Sequence, residues 1–371
     1  MTPKVSFVVP CYNIAHLLSE CVHSILSQTY EDFEILIMDD CSPDHTPEVA
    51  QSFHDPRIKH VRHEKNLGHL RNYNTGIELA RGQYVWLISA DDCLRRPYTL
   101  ERYVQIMEHC PGVGYVFSPA VRLQDGQETD LVSWSMHGEQ DAIFKGHKFL
   151  QKLVLGNCVV APAGMVRKEC YDKVSVFPLD LPNSGDWYLW GVFALHYDAA
   201  YIAEPLVCYR SHDTNMSKIL TQSARHVIIT DNIAVRWRLK EKAEEIGADV
   251  VACLCEDAIA TYYANLLAGQ MYEKAMFGIS AEEFEQSLQR HTGNQSAASV
   301  MRARVYTALG DQCYLRRDFS QAQHYYGRGA QQNPRALGTL TKYALLKMGS
   351  LGVCLRDSVS TWARRRPVVP G

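Results

Sequence analysis

The chain has 371 residues, 46% of them hydrophobic and 21% charged, with 38 Lys and Arg against 41 Asp and Glu. That length accommodates two domains and a core that folds without staples, and the balance excludes a disordered or fibrous chain. A net charge of −3 excludes a global positive field, so nucleic acid is not expected as a partner.

Lys4–Val9 is β-branched and apolar, the pattern of a buried strand. Leu18, Val22, Ile25 and Leu26 then fall on one helical face. Phe33–Met38 reads as a second strand, and Thr46-Pro47-Glu48 opens a short helix. Ile58–Val61 is a third strand, and a helix carrying Leu70, Tyr73 and Ile77 is expected to stop at a left-handed Gly82. Tyr84–Ile88 gives a fourth strand, Leu100, Val104 and Met107 mark another helix, and Gly114–Ser118 is a fifth strand. Strands alternating with crossover helices imply an α/β domain whose mostly parallel, Rossmann-like sheet has helices on both faces.

Ligands of such sheets bind at the carboxyl ends of the strands. Strand one ends in Pro10-Cys11-Tyr12-Asn13, strand two in Asp39-Asp40-Cys41-Ser42, and strand four in Ser89-Ala90-Asp91-Asp92. One acidic pair is an ordinary turn or cap device. Two pairs on one sheet edge repel unless a cation or hydrogen-bond donors neutralise them, which points to a site. No G-x-G-x-x-G or G-x-x-x-x-G-K-[ST] follows strand one, so a phosphate bound here is expected on metal and side chains rather than a backbone nest.

These strings resemble family 2 glycosyltransferases with the GT-A fold. The resemblance is carried by residues 5–13 and 33–42, Asn66-Leu67-Gly68 with Arg71-Asn72, Ala80-Arg81-Gly82-Gln83-Tyr84, and Asp91-Asp92. Gly185-Asp186-Trp187-Tyr188-Leu189-Trp190 is similar to the family's acidic motif on the acceptor side, and Glu204–His212 to the segment that closes its catalytic domain. The likeness covers roughly residues 4 to 217.

The resemblance implies inverting transfer of a sugar from a nucleoside-diphosphate donor, UDP-linked in the family's commonest case, to a glycan or lipid-linked acceptor. It also implies a divalent cofactor, Mn²⁺ or Mg²⁺, whose hard character suits carboxylate oxygens. The first position of the family's D-x-D region is Ser89 here, so Asp91 and Asp92 carry the load: Asp91 is assigned to ribose and Asp92 to metal, a division that could be reversed. Pro10, Cys11 and Tyr12 are assigned to the base, with Asp40 accepting a uracil imide hydrogen. Arg71 is a candidate cation near the donor, and His212 a candidate for the diphosphate or the metal. Asp186 is the expected general base, because an apolar wall of aromatic residues would raise its pKa. Trp187 and Trp190 are candidate acceptor contacts.

Beyond about residue 220 helical periodicity takes over, placing a catalytic domain at 1–220 and an α-helical domain at 221–371. Tyr306, Leu309, Gly310, Ala322, Tyr326 and Pro334 fall at the spacing of one tetratricopeptide-like unit near 303–336. Residues 337–371 combine Lys342, Lys347, Arg356, Arg364, Arg365 and Arg366 with apolar residues including Leu351, Leu355 and Trp362, a basic amphipathic tail suited to peripheral contact with an anionic membrane.

No apolar run is read as reaching the roughly 20 residues of a membrane helix. The opening Met1-Thr2-Pro3-Lys4 lacks a signal peptide's apolar stretch, and the twelve scattered cysteines read as reduced thiols. A cytoplasmic protein is expected, free or on the inner face of the membrane. A second reading is a catalytically silent GT-A-shaped scaffold whose helices recruit partners. A nucleotidyltransferase is disfavoured because its glycine-rich basic loop is missing.

Overall fold

Val5–Cys11 forms β1, buried along its whole length, and Phe33–Asp39 forms β2 on the same terms. The structure is a computed structural model that describes residues 2–273 and 278–364. The chain divides into two units, Met1–Val251 and Ala252–Gly371.

Between and after these strands the first unit continues with α1 (Ala15–Leu26), α2 (Thr46–Gln51), β3 (Ile58–Arg62), α3 (His69–Leu79), β4 (Tyr84–Leu87) and β5 (Cys93–Leu94). Next come α4 (Thr99–His109), β6 (Val113–Phe117), β7 (Ala120–Gln124), β8 (Gln127–Leu131), β9 (Ala142–Phe144) and α5 (Gly146–Leu153). The unit goes on through β10 (Gly164–Arg167), α6 (Lys168–Lys173), α7 (Gly185–His196), β11 (Asp198–Tyr201), β12 (Val207–Arg210), α8 (Met216–Ser223) and α9 (Arg225–Glu245).

The main sheet has the order β3-β2-β1-β4-β10-β6-β11-β9. β3, β2, β1 and β4 run parallel, and β10 is antiparallel to both its neighbours. The chain winds outward from β1 to β3 and then returns to the other side of β1 as β4. The switch in strand order therefore falls between β1 and β4, where a crevice opens at the carboxyl ends. This is the GT-A arrangement, followed by a largely helical C-terminal region.

A second, four-stranded sheet has the order β5-β12-β7-β8. β5 follows directly on Asp91-Asp92 and pairs antiparallel with β12, Cys93 opposite Cys208. That pairing carries the residues after β12 back to the end of β4. Gly82 is not the left-handed cap expected from the sequence, since α3 stops at Leu79. It is glycine because a Cβ would stand 2.6 Å from the Ser6 amide nitrogen, and the Ser6 hydroxyl accepts the Gly82 N–H.

The first unit runs past the expected boundary at 220 because α9 packs on α7. Arg236 of α9 lies over the Trp187 ring at 4.7 Å and donates to the Leu155 carbonyl. Asp231 Oδ2 accepts the Asn183 and Ser184 amides at 2.7 and 3.2 Å, fastening the loop that enters α7.

The division falls within α10 (Asp249–Ala268), after which come α11 (Ala281–His291), α12 (Gln295–Leu315), α13 (Phe319–Gln332), α14 (Leu337–Lys347) and α15 (Ser350–Arg364). The stretch Asp249–Tyr272 is long and apolar enough to cross a membrane by length and composition, contrary to the sequence expectation. More than half of its most apolar window is buried within the protein, as in a core helix. α12 and α13 form a helical hairpin over 295–332, with Gly310 against the Tyr326 ring.

Part of the tail's positive charge is turned inward. Lys342 and Arg356 both pair with Asp311, and the Arg356 guanidinium lies 3.7 Å from the Tyr314 ring centroid. Leu351 and Leu355 of α15 are exposed. The expectations for the Arg364 and Trp362 side chains, and for Arg365 and Arg366, lie outside the described residues.

Candidate active site

The crevice deepens into a cavity of about 300 Å³ whose lining includes Asp91, Asp92, Asp186, Tyr73, Asn157 and Trp190. Asp91 comes from the turn after β4, and Asp186 from the first turn of α7. The strand-end acids and the acid of the acceptor-side motif thus share one chamber.

Asp91 Oδ2 lies 3.0 Å from His212 Nε2 and accepts the Asn215 amide at 3.2 Å. Its other oxygen, Oδ1, is buried with no hydrogen-bond partner among the described residues. An orphaned buried carboxylate oxygen marks a place for a cation or a donor group. Asn215 also accepts the His212 N–H and donates to the Arg210 carbonyl, fixing the 210–215 turn. Arg210 completes the clamp: its Nε donates to the Asp91 carbonyl at 2.7 Å, and its guanidinium pairs with Glu20 at 2.6 Å.

Asp92 is more enclosed. Its Oδ1 accepts the Arg210 N–H at 2.9 Å, and burial, then the neighbouring Asp91, push its pKa well above the usual range. Of the pair, Asp91 rather than Asp92 meets His212 and keeps an unpaired oxygen among the described residues. No group of three or more His, Cys, Asp and Glu able to hold a metal occurs among the described residues. A carboxylate and an imidazole nevertheless fit a divalent ion that takes its remaining ligands from phosphate and water, and imidazole favours Mn²⁺ over Mg²⁺.

Asp186 accepts the Asn157 side-chain amide at 2.9 Å. Burial raises its pKa to about 6, against the opposing pull of the Trp187 amide and Asn157. A carboxylate poised there is ionised at neutral pH yet basic enough to accept a proton.

Pro10 and Cys11 are buried, and Tyr12 stands 52% exposed. The Ala90 N–H donates to the Pro10 carbonyl and the Asp40 N–H to the Cys11 carbonyl, tying the ends of β1, β2 and β4 together. Asp40 has a structural task at this edge. Both its oxygens accept backbone amides, from Leu67 at 2.7 Å and Gly68 at 2.9 Å, so it clamps the Asn66-Leu67-Gly68 turn. Arg71 is exposed on α3 and is not among the residues lining the cavity. Its neighbour Asn72 is buried and donates to the Met38 carbonyl.

Trp187 is only 2% exposed and gives its indole N–H to the Leu153 carbonyl, which places it in the core rather than on an acceptor. Trp190 lines the cavity and packs edge-on over Gly164, where a Cβ would stand 2.4 Å from the ring. Asn157 and Asn215 were not legible as site residues. Asn215, three residues after His212 and ahead of α8, carried only a capping signal, and Asn157 carried none.

Residues 6–174 match the family model described as glycosyl transferase family 2. That match lies within the first unit. An uncharacterised glycosyltransferase of Haemophilus influenzae is 27% identical over 290 residues, covering 74% of this chain and 86% of that protein. Glycosyltransferase GlyG of Streptococcus pneumoniae is 36% identical over 110 residues, 29% of this chain, and the match spans only 36% of GlyG. Among solved structures, S. aureus TarS 1-349 in complex with UDP-GlcNAc superposes with a TM-score of 0.61 at 16% identity, over 93% of this chain and 92% of that one. That likeness extends the shared fold into the helical region.

Proposed function

We propose that this protein is a metal-dependent, inverting glycosyltransferase that moves a sugar from a nucleoside-diphosphate donor, UDP-linked, to a hydroxyl of a glycan or lipid-linked acceptor. The observation that carries this reading is the opening of Asp186 and Asp91 onto one cavity, with His212 3.0 Å from the Asp91 carboxylate. The TarS complex with UDP-GlcNAc supports a uridine donor and a hexosaminyl group as the first to try.

In this reading the acceptor oxygen forms its bond to the anomeric carbon as the bond to the diphosphate breaks. Asp186 takes the hydroxyl proton, and the nucleoside diphosphate leaves with the electron pair. Asn157 orients the Asp186 carboxylate. Mn²⁺ or Mg²⁺, when bound, supplies Lewis-acid neutralisation of the leaving diphosphate, with Asp91 and His212 as its protein ligands. Pro10, Cys11 and the half-exposed Tyr12 ring lie along the strand edge beside the Asp91-Asp92 turn, where a stacked base would sit, while Asp40 shapes that edge through residues 67–68. Ribose contact falls to the same turn. Arg71 remains a candidate only for the outer part of the donor. The protein would act in the cytoplasm, with peripheral membrane contact through residues 337–371 suited to a lipid-linked acceptor.

The test is release of UDP from a panel of UDP-sugars with Mn²⁺, Mg²⁺ or EDTA, comparing wild type with Asp186→Asn and Asp91→Asn. Metal-dependent turnover of one donor, lost in both variants, supports the assignment. No turnover with any donor, with UDP still raising the melting temperature, would favour the silent scaffold.

A further inference from the structure

We infer that Trp134 is the acceptor platform of this site: its indole face takes the apolar face of a pyranose whose hydroxyl is presented to Asp186. The inference rests on the glycosyl-transfer reading and names the chemistry of the acceptor subsite, an aromatic-stacked sugar ring.

Trp134 lines the same cavity as Asp186 and Asn157, yet it is 50% exposed. The turn that carries it is fastened on either side. Val132 is buried and its N–H donates to the Ala120 carbonyl, while the buried Ser135 hydroxyl donates to the Val132 carbonyl at 2.7 Å. The indole therefore stands at the rim on a fixed base. It makes no hydrogen bond or ring contact among the described residues, and half of its surface is left uncovered. A tryptophan left half in water forgoes much of the burial its large apolar surface favours, and a bound apolar face would recover it.

A sugar ring is the occupant that suits both halves of this arrangement. The axial C–H groups of a pyranose are weakly positive and lie flat on the negative face of an indole. Its hydroxyls need polar partners, which Asn157 and Asp186 provide inside the cavity. The two tryptophans nearest the base do not offer such a face, since Trp187 is core and Trp190 is 5% exposed against Gly164.

The experiment uses the full chain, saturated with UDP and Mn²⁺, and titrates methyl glucopyranoside, methyl galactopyranoside and methyl N-acetylglucosaminide while reading tryptophan fluorescence. Saturable quenching by at least one glycoside in wild type, absent in Trp134→Phe of unchanged melting temperature, supports the platform. No quenching, or equal quenching in the variant, overturns it. Turnover gives a second readout: Trp134→Ala should raise the KM for that glycoside about tenfold or more and leave UDP release from the donor alone within about twofold. A rise in donor KM instead would assign Trp134 to the donor sugar and overturn the inference. Absence of donor turnover in wild type counts against glycosyl transfer itself and leaves the quenching result to decide the platform.

Discussion

His212 Nε2 lies 3.0 Å from Asp91 Oδ2, although 121 residues separate them in the chain. The contact exists because β5 leaves the Asp91-Asp92 turn and pairs at once with β12, which leads into His212. On our reading the pair are the protein ligands of the divalent ion. Asp91→Asn and His212→Ala should each weaken the Mn²⁺ dependence of thermal stabilisation by UDP about tenfold or more, roughly 1.4 kcal/mol. Asp92→Asn should change it less than threefold, because the Asp92 Oδ1 is held on the Arg210 amide. Equal losses at 91 and 92 would return the metal to Asp92.

Asp186 governs a pH dependence of both rate and stability. As the proposed base it must be ionised, so kcat/KM should fall below about pH 6, with the lower limb set by its raised pKa. Asp186→Asn should lower kcat by about 10²-fold or more.

The same burial acts on stability in the opposite sense. The folded state binds the Asp186 proton more tightly than the unfolded state, so the favourable contribution is present below about pH 4 and lost as pH rises through about 6. Asp186→Asn should therefore raise stability at pH 8, on the order of 2–3 kcal/mol, and give no gain at pH 4. Denaturant melts at the two pH values check it, and a gain at both would contradict this account.

Asp231, on α9, fastens the loop that enters α7 ahead of Asp186. Its carboxylate holds the Asn183 and Ser184 amides. Asp231→Ala strands two enclosed donors and should cost about 2–3 kcal/mol of stability, with kcat lowered more than donor KM. Chemical denaturation and steady-state kinetics measure the two effects.

Gly164 fixes the position of Trp190. Gly164→Ala would place a methyl 2.4 Å from the indole, so the ring must move into the cavity at a cost of about 1–3 kcal/mol. A lower melting temperature together with reduced donor turnover is expected, and unchanged turnover would show that the ring is not part of the working wall.

The membrane contact is better tested by substitution than by truncation, since removing α15 would strip Arg356 from Asp311. Leu351→Glu with Leu355→Glu should lower binding to vesicles containing anionic lipid at least fivefold and leave activity on a water-soluble acceptor unchanged. Unaltered vesicle binding would remove α15 from the membrane reading.

The sequence by itself determined the α/β order of the first unit. Strand periodicity, crossover helices and strand-end acids are local patterns, and each marks its position wherever the rest of the chain lies. It also singled out Asp91, Asp186 and His212, because acids at strand ends or beside a glycine and aromatic residues carry a chemical signal in their immediate neighbours. Only the tertiary structure decided which of those side chains face the cavity. Asp40 and Trp187 look as functional in sequence as Asp91 and Trp190, but whether a carboxylate meets backbone amides, or an indole finds a core carbonyl, depends on residues tens of positions away. The same holds for Asn157, Asn215 and Trp134, whose roles come from partners that β5–β12 pairing, the mounting of α7 on α9 and the 132–135 turn bring to them. Hydrophobic patterning reports how a segment folds on itself, whereas long-range packing decides what its polar atoms meet.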